Sequence, residues 1–490
     1  LTDLAEPPAA PSAATPRRTG RALPTLPLLV AGCFALAALS LLLPSVPTQD
    51  SWSWIVWGRE VAQLNLDTLG GSSWKPLPVL FTTIFSFFGD AAPALWIIVS
   101  RAGALMALVF AYRIGTRLAG RTAGIVAAVA LAGADWLRYV AHGNVEPLSV
   151  GLVLGAVDRA QESHPLQAVV LGALAALGRP ELWPFVVAYG LYVMWRRQAR
   201  WFAVVPLLLI VPALWLGGDW WGSGDPFHGS TQASGFKERQ LAATKALKKK
   251  RLTDPSIEIP PPPSFGNTVD LGRAILVLPV EIAALAGLLF AVWRRHRATL
   301  VLAGGAAALI VLVGLMSELG YGGSPRFLFP ALALVCVLAG VGVECVLRAV
   351  GGGRRALAVG VVLLAATTPF AVKRVQFDAE RVDDISLRAD LQDGLDHAIE
   401  SAGGPGVVLK AGHPRVNGSF GHQLAWRLKL PMRAVGPLRY PAVIVAGPST
   451  RVSPSGAPRV PESPHVRTRE LASVDGWTIT AVRKVRGPKR

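Results

Sequence analysis

The chain of 490 residues is 52% hydrophobic and 16% charged, with a mean hydropathy of +0.43, which excludes an ordinary soluble domain. Its formal net charge is +18, but Lys and Arg stand mostly in short clusters between apolar runs, the pattern of a polytopic membrane protein and not of a nucleic-acid binder. Three cysteines, Cys33, Cys336 and Cys345, all fall in apolar runs, so no disulfide framework is expected.

Residues 1–22, rich in Pro and Ala and without periodicity, read as a disordered cytoplasmic tail. The run from Leu26 to Val46 is long for a signal sequence and lacks a clear small-residue cleavage site, so it reads as a retained helix. A crossing needs roughly 20 apolar residues. About eleven cores approach that criterion, some of them short: 26–46, 92–112, 122–141, 145–158, 165–179, 183–195, 201–217, 272–293, 298–316, 327–348 and 356–372. "PLPVLFTTIFSFFG" is shorter and reads as a re-entrant or interfacial helix.

With the N-terminus inside, "YRIGTRLAGR", "DRAQESH", "MWRRQARW", "VWRRHRA" and "LRAVGGGRR" all lie on the cytoplasmic side, as the positive-inside rule asks. The opposite loops then hold Asp50, Glu60, Lys75, His142, Glu146, Arg179, Glu181, Asp219, Asp225, His228, Glu318 and Arg326. The first outer loop spans 47–91. A larger one, 217–271, reads as a loop, the basic helix "KERQLAATKALKKKR" and a polyproline spacer. Residues 373–490 have soluble composition. There "LRADLQDGLDHAIESAG" has helical periodicity and "GVVLKAG", "PAVIVAG" and "GWTITAVRKV" look like strands, giving a small α/β domain outside the membrane. "PSTRVSPSGAPRVPESP" reads as a loop, "NGS" at Asn417 matches a glycosylation sequon, and His413 and His422, with no third ligand, read as ordinary loop and helix residues.

An ionisable group at membrane depth is costly and therefore a candidate for function. Asp50 follows the first span and precedes Trp52, Trp54 and Trp57. An aromatic belt with a helix-capping Asp is the competing reading. Lys75, before a Pro-rich apolar helix, is either a phosphate grip or a snorkelling lysine. Glu146 begins a short span, Arg179 and Glu181 flank Pro180 between two more, and Arg326 opens a late one. A helix-favoured acid, a local ion pair and a headgroup contact are their respective alternatives.

Asp50, Lys75-Pro76 and Glu146-Pro147-Leu148, with "GRPELWPF", "SGDPFHGSTQ" and "SPRFLFPAL", resemble the GT-C superfamily of polytopic glycosyltransferases over residues 23–372. The likeness is greatest to the branch containing protein O-mannosyltransferases and the lipid A aminoarabinose transferase. It departs in having Ser51 where a second acid is common. The resemblance implies an all-α transmembrane catalytic domain followed by the α/β domain at 373–490. It also implies inverting transfer of a sugar from a polyprenyl-phosphate donor to a hydroxyl of a lipid, glycan or protein acceptor, on the outer face of the cytoplasmic membrane.

On that reading Asp50 is the base, its pKa raised by partial desolvation. Glu146 orients the acceptor or helps to bind a divalent cation such as magnesium or manganese, and Lys75 and Arg326 hold the phosphate. Trp52 and Trp54 stack on sugar, and His142, Arg179, Glu181, Asp225 and His228 complete the substrate site. Two rivals stay open: a polymerase or ligase acting on polyprenyl-diphosphate glycans, and a transporter. The sugar, the acceptor and the oligomeric state are open as well.

Overall fold

The computed structural model describes residues 25–251, 264–322, 324–416, 420–453 and 465–485, with 458 and 463. The tail, the polyproline spacer, the sequon and most of the loop after Ser449 lie outside them. The helices run in chain order α1 (Leu26–Leu39), α2 (Gln49–Ala62), α3 (Pro76–Phe85), α4 (Ala92–Ala119), α5 (Arg121–Ala132), α6 (Leu137–Ala141), α7 (Val145–Gln161), α8 (Pro165–Gly178) and α9 (Trp183–Trp195). Then follow α10 (Trp201–Ser223), α11 (His228–Arg251), α12 (Phe265–Arg273), α13 (Leu278–Trp293), α14 (Arg297–Glu318), α15 (Phe329–Ala349), α16 (Gly353–Ser401), α17 (Pro405–Ala411) and α18 (Gly421–Arg427).

Five helical stretches are long and apolar enough to cross a membrane, and α12 with α13, bent by 103°, makes a sixth if counted as one span. α1, α5 and α8 are shorter apolar helices. The chain is a multi-pass membrane protein, although the described helices do not divide into the eleven spans expected. Two reasons are visible. Residues 76–119 join the short apolar segment and the following span into one long stretch, and the expected span at 272–293 is broken, with Pro279 starting α13.

Small residues let the helices meet closely, as membrane packing requires where lipid is as apolar as leucine. α4 crosses α7 where Gly103 faces Leu148 and Gly151 faces the Gly103 carbonyl, so an added Cβ at either position would strike backbone. Gly143, at φ +63°, turns the chain between α6 and α7 beside Trp96. α2 does not cross the bundle; ten of its fourteen residues are buried between the membrane helices and the C-terminal unit.

That unit is a four-stranded sheet, β1 (His413–Val416), β2 (Ala442–Ala446), β3 (Val466–Val474) and β4 (Trp477–Lys484), in the order β1-β2-β4-β3. β1 and β2 are parallel; the other pairs are antiparallel. Asp475 and Gly476, both at positive φ, form the two-residue turn that hairpins favour. Trp477, Phe420, Leu395, Leu424 and Ile479 fill the core under the sheet. Two expected strands are β2 and β4. The third, "GVVLKAG", is instead α17: Pro405 opens a helical turn in which only Val408 is buried, so no sheet face is formed. α16 runs without interruption through residue 372, carrying its polar C-terminal half beneath the sheet.

Candidate functional site

Six charged side chains from five elements meet at one end of the bundle. Asp50 occupies the first turn of α2, where an acid is favoured by the unpaired amides. Its Oδ1 accepts a 2.6 Å hydrogen bond from Ser72 Oγ, and its Oδ2 accepts one of 2.8 Å from Arg326 Nη1. Arg326 lies in the 3-10 turn Pro325–Leu328 that leads into α15. Its Nε is 3.5 Å from Oε1 of Glu146, which stands in the first turn of α7.

The same Glu146 oxygen accepts 2.9 Å from Arg179 Nη1. Arg179, at the end of α8, donates through Nε to Glu181 Oε1 at 2.7 Å and lies over the Phe327 ring at 4.3 Å. Lys75 precedes α3, buried, with Nζ 4.9 Å from the centre of Trp54 and within the fields of Glu146 and Asp50.

Three cations and three anions thus share one site, buried around Glu146 and partly open at the Asp50–Arg326 pair, whose side chains are 23% and 25% exposed. Arg179 and Glu146 are each 2% exposed and Glu181 is 3%, so the arrangement persists only because each charge faces an opposite one. Glu146 Oε2 and Glu181 Oε2, both buried, have no hydrogen-bond partner among the described residues, leaving acceptor capacity unused. Burial pushes the Asp50 carboxyl upward, but the Arg326 guanidinium, Lys75 and the Ser72 hydroxyl outweigh it and hold the group well below the usual carboxylate range. The rise expected from desolvation is therefore reversed. Lys75 is pushed down to about 8 by burial, with Glu146 and Asp50 opposing and the two arginines adding.

Other side chains stand elsewhere. Trp52 is 4% exposed and donates its indole N–H to Gln392 of α16; Trp54, fully buried, lies edge-on to Trp96 beneath Lys75. Neither offers an open face for stacking, because α2 is sandwiched instead of lying at a headgroup boundary. His142 bonds through Nδ1 to the Val46 carbonyl oxygen at 3.0 Å, in a separate cleft of 280 Å³ with Arg138, Arg381 and Arg388, and is lowered to about 4 chiefly by burial. Asp225 and His228 gather around Asp219 at the junction of α10 and α11, apart from the six.

Several residues of the site carried no signal of their own. Ser72 is one serine among "GGSS". Tyr321, its phenol pushed up to about 12 by burial and by Glu181, lies tilted against Phe327 with ring centres 5.5 Å apart. Tyr139 packs edge-on to Phe329 at 5.1 Å and accepts from Arg138 at 2.6 Å. Flanking glycines around Tyr321 and the closeness of Tyr139 to Glu146 are the only hints the chain offers.

Among the described residues no three His, Cys, Asp or Glu side chains form a metal-ligand group. The acids here already face guanidinium or ammonium groups, which would repel a divalent cation, so the donor set does not fit one.

A scan against protein-family models finds no match, and a search of curated proteins finds none. Solved structures do match. ArnT from Cupriavidus metallidurans in the apo state superposes with a TM-score of 0.52 at 16% identity, covering 93% of this chain and 97% of that one. The same enzyme bound to undecaprenyl phosphate gives 0.53 at 14% identity, with 94% and 99% covered. The chain has the GT-C fold. The Archaeoglobus fulgidus oligosaccharyltransferase matches at a TM-score of 0.42 and 13% identity, covering 84% of this chain and 65% of that one.

Proposed function

We propose that the protein transfers a sugar from a polyprenyl-phosphate carrier to an acceptor hydroxyl, with inversion at the anomeric carbon and Asp50 as the general base. The observation that carries this reading is the 2.8 Å contact of Asp50 with Arg326, beside Lys75. It sets a carboxylate against two cations of the kind that grip a phosphate. Binding of undecaprenyl phosphate by ArnT, which shares the fold, supports the choice of carrier.

The chemistry follows from charge. In the transition state positive charge grows on the anomeric carbon and negative charge on the departing phosphate. Arg326 and Lys75 stabilise the phosphate. Occupied by it, they no longer depress Asp50, whose basicity rises as the acceptor hydroxyl needs to lose its proton. The unpaired, buried oxygens of Glu146 and Glu181 are the acceptors that remain for a sugar or acceptor hydroxyl. Arg179 holds both acids in place and does not touch the reacting atoms.

An apolar cavity of about 260 Å³ lies among α7, α8, α9, α14 and α15, lined by residues such as Leu182, Phe185, Val186, Leu309 and Pro330. Its apolar lining suits part of an isoprenoid chain, and Leu182 and Pro330 in that lining stand one and four residues along the chain from Glu181 and Arg326. The positive-inside pattern supports an orientation with the charged site and the C-terminal unit on the outer side of the cytoplasmic membrane.

The test is incubation of the purified protein with a labelled polyprenyl-phosphate sugar and a mixture of envelope acceptors. Release of polyprenyl phosphate with movement of label to an acceptor is expected. Consumption of polyprenyl-diphosphate glycans alone overturns the proposal.

A further inference from the structure

Three guanidinium groups line the cleft of about 280 Å³ between α6 and α16, which His142 borders. Arg138 comes from α6, and Arg381 and Arg388 stand about two helical turns apart on α16. The Arg138 guanidinium lies over the Tyr139 ring at 4.6 Å and donates to its hydroxyl at 2.6 Å; that of Arg381 lies over Phe377 at 4.2 Å. Stacking holds a planar cation in place and leaves N–H groups at its edge for a partner. Ile385, also in the lining, packs on Val46 and Ala141.

These charges do not cancel in pairs. Asp135 faces Arg381 at 3.1 Å and Arg374 at 3.6 Å, and Asp384 faces Arg451 at 2.8 Å. Glu380, the other acid of the lining, is exposed. Among the described residues neither it nor Arg138 nor Arg388 joins an ion pair. Arg381 Nε is buried without a hydrogen-bond partner, a costly state for a donor. His142 registers the resulting field: its imidazole is lowered to about 4 by burial, against the Val46 carbonyl, with Arg388, Arg138 and Arg381 adding to the fall. The height of the cleft is that of a lipid headgroup. α5 rises only about 18 Å from Arg121 to Ala132 at 1.5 Å per residue. Asp135, three residues on, therefore lies no farther than the far edge of a hydrocarbon layer roughly 30 Å thick that starts at Arg121. Arg374 and Arg381, which Asp135 holds, share its level.

We propose that the cleft binds the phosphate of an anionic phospholipid from the leaflet on the side of the C-terminal unit. Arg138 and Arg388 donate to its oxygens from opposite walls, and Arg381 Nε gains an acceptor. The acyl chains follow α16, where Leu364, Val372 and Val375 are exposed below the arginines. Because the field at His142 is positive, a headgroup with net negative charge is preferred to one that brings its own ammonium. The bound lipid bridges α6 and α16, and so ties the helix that carries the C-terminal unit to the bundle. Basic pockets between membrane helices recognise lipid headgroups in this way.

The test is a titration of the full-length protein in neutral detergent with short-chain phosphatidylglycerol, short-chain phosphatidylcholine or inorganic phosphate, followed by the midpoint of thermal unfolding. A saturable rise is expected with phosphatidylglycerol, and binding at least about tenfold weaker with the other two. Arg388→Gln breaks no ion pair or hydrogen bond among the described residues, so its midpoint without lipid should match wild type. Its apparent Kd for phosphatidylglycerol should rise about tenfold, the worth of one charge-assisted hydrogen bond. Arg138→Gln should weaken binding similarly. Arg467→Gln, the same loss of charge on the exposed face of β3, should bind as wild type does. Equal binding of phosphatidylcholine, wild-type affinity in both cleft variants, or an equal loss in Arg467→Gln overturns the site. Inorganic phosphate binding as tightly as phosphatidylglycerol overturns its assignment to a lipid.

Discussion

Arg326 Nη1 stands 2.8 Å from Asp50 Oδ2, so the proposed base is neutralised by the cation proposed to hold the leaving group. An ion pair of this kind keeps the base weak while the site is empty and frees it when a phosphate competes for the guanidinium. Asp50→Asn should therefore lower kcat about 10² to 10⁴-fold while leaving donor affinity equal or tighter, since a negative charge next to the phosphate is gone. Equilibrium binding of a labelled lipid phosphate beside single-turnover transfer checks both halves.

Lys75 predicts the pH behaviour of donor binding. Its pKa, pushed down to about 8 mainly by burial, means that the ammonium is lost as pH rises through that value, and a phosphate grip is lost with it. Donor KM is expected to climb above about pH 8 while remaining flat below it. Lys75→Arg, which stays charged, should abolish the climb even where the altered shape raises KM overall.

Removing Arg179 leaves Glu181 as a buried negative charge without its ion-pair partner and takes one of three cations from Glu146. Arg179→Met should cost about 3 to 5 kcal/mol, read as a lower midpoint of thermal unfolding in detergent. Adding Glu146→Gln and Glu181→Gln to it should restore much of that loss. The triple variant is expected to be folded and inactive.

At the crossing of α4 and α7, Gly103 leaves no room for a side chain against Leu148. Gly103→Val should push α7 outward and carry Glu146 off Arg179 and Arg326. Transfer is expected to fall about tenfold or more, as small displacements of catalytic groups do, with Asp50 chemistry otherwise intact. Gly304, which has open space around it, serves as the control: Gly304→Ala should leave transfer unchanged.

Much of the site was legible because its charges interrupt apolar runs. Lys75 before Pro76, Glu146 at a helix start and Arg326 before Phe327 are anomalies along the chain itself, visible without any contact. The fold class and the GT-C resemblance rest on the same one-dimensional signal, and the shared fold with ArnT bears the resemblance out. What depends on distant partners was not legible. The direction of the Asp50 shift is set by an arginine 276 residues away. The burial of Trp52 follows from the end of α16 that covers α2, and that of Trp54 from Trp96 and Lys75, none of which local sequence reveals.

α16 is 49 residues of unbroken helix, a rod of about 74 Å at 1.5 Å per residue. The hydrocarbon layer is only about 30 Å thick, so more than half of the rod stands clear of it even when upright. A stiff mast of this length fixes the altitude of the sheet above the lipid, where a slack tether would let it wander. On the proposed function, the acceptor must fit the clearance that mast allows.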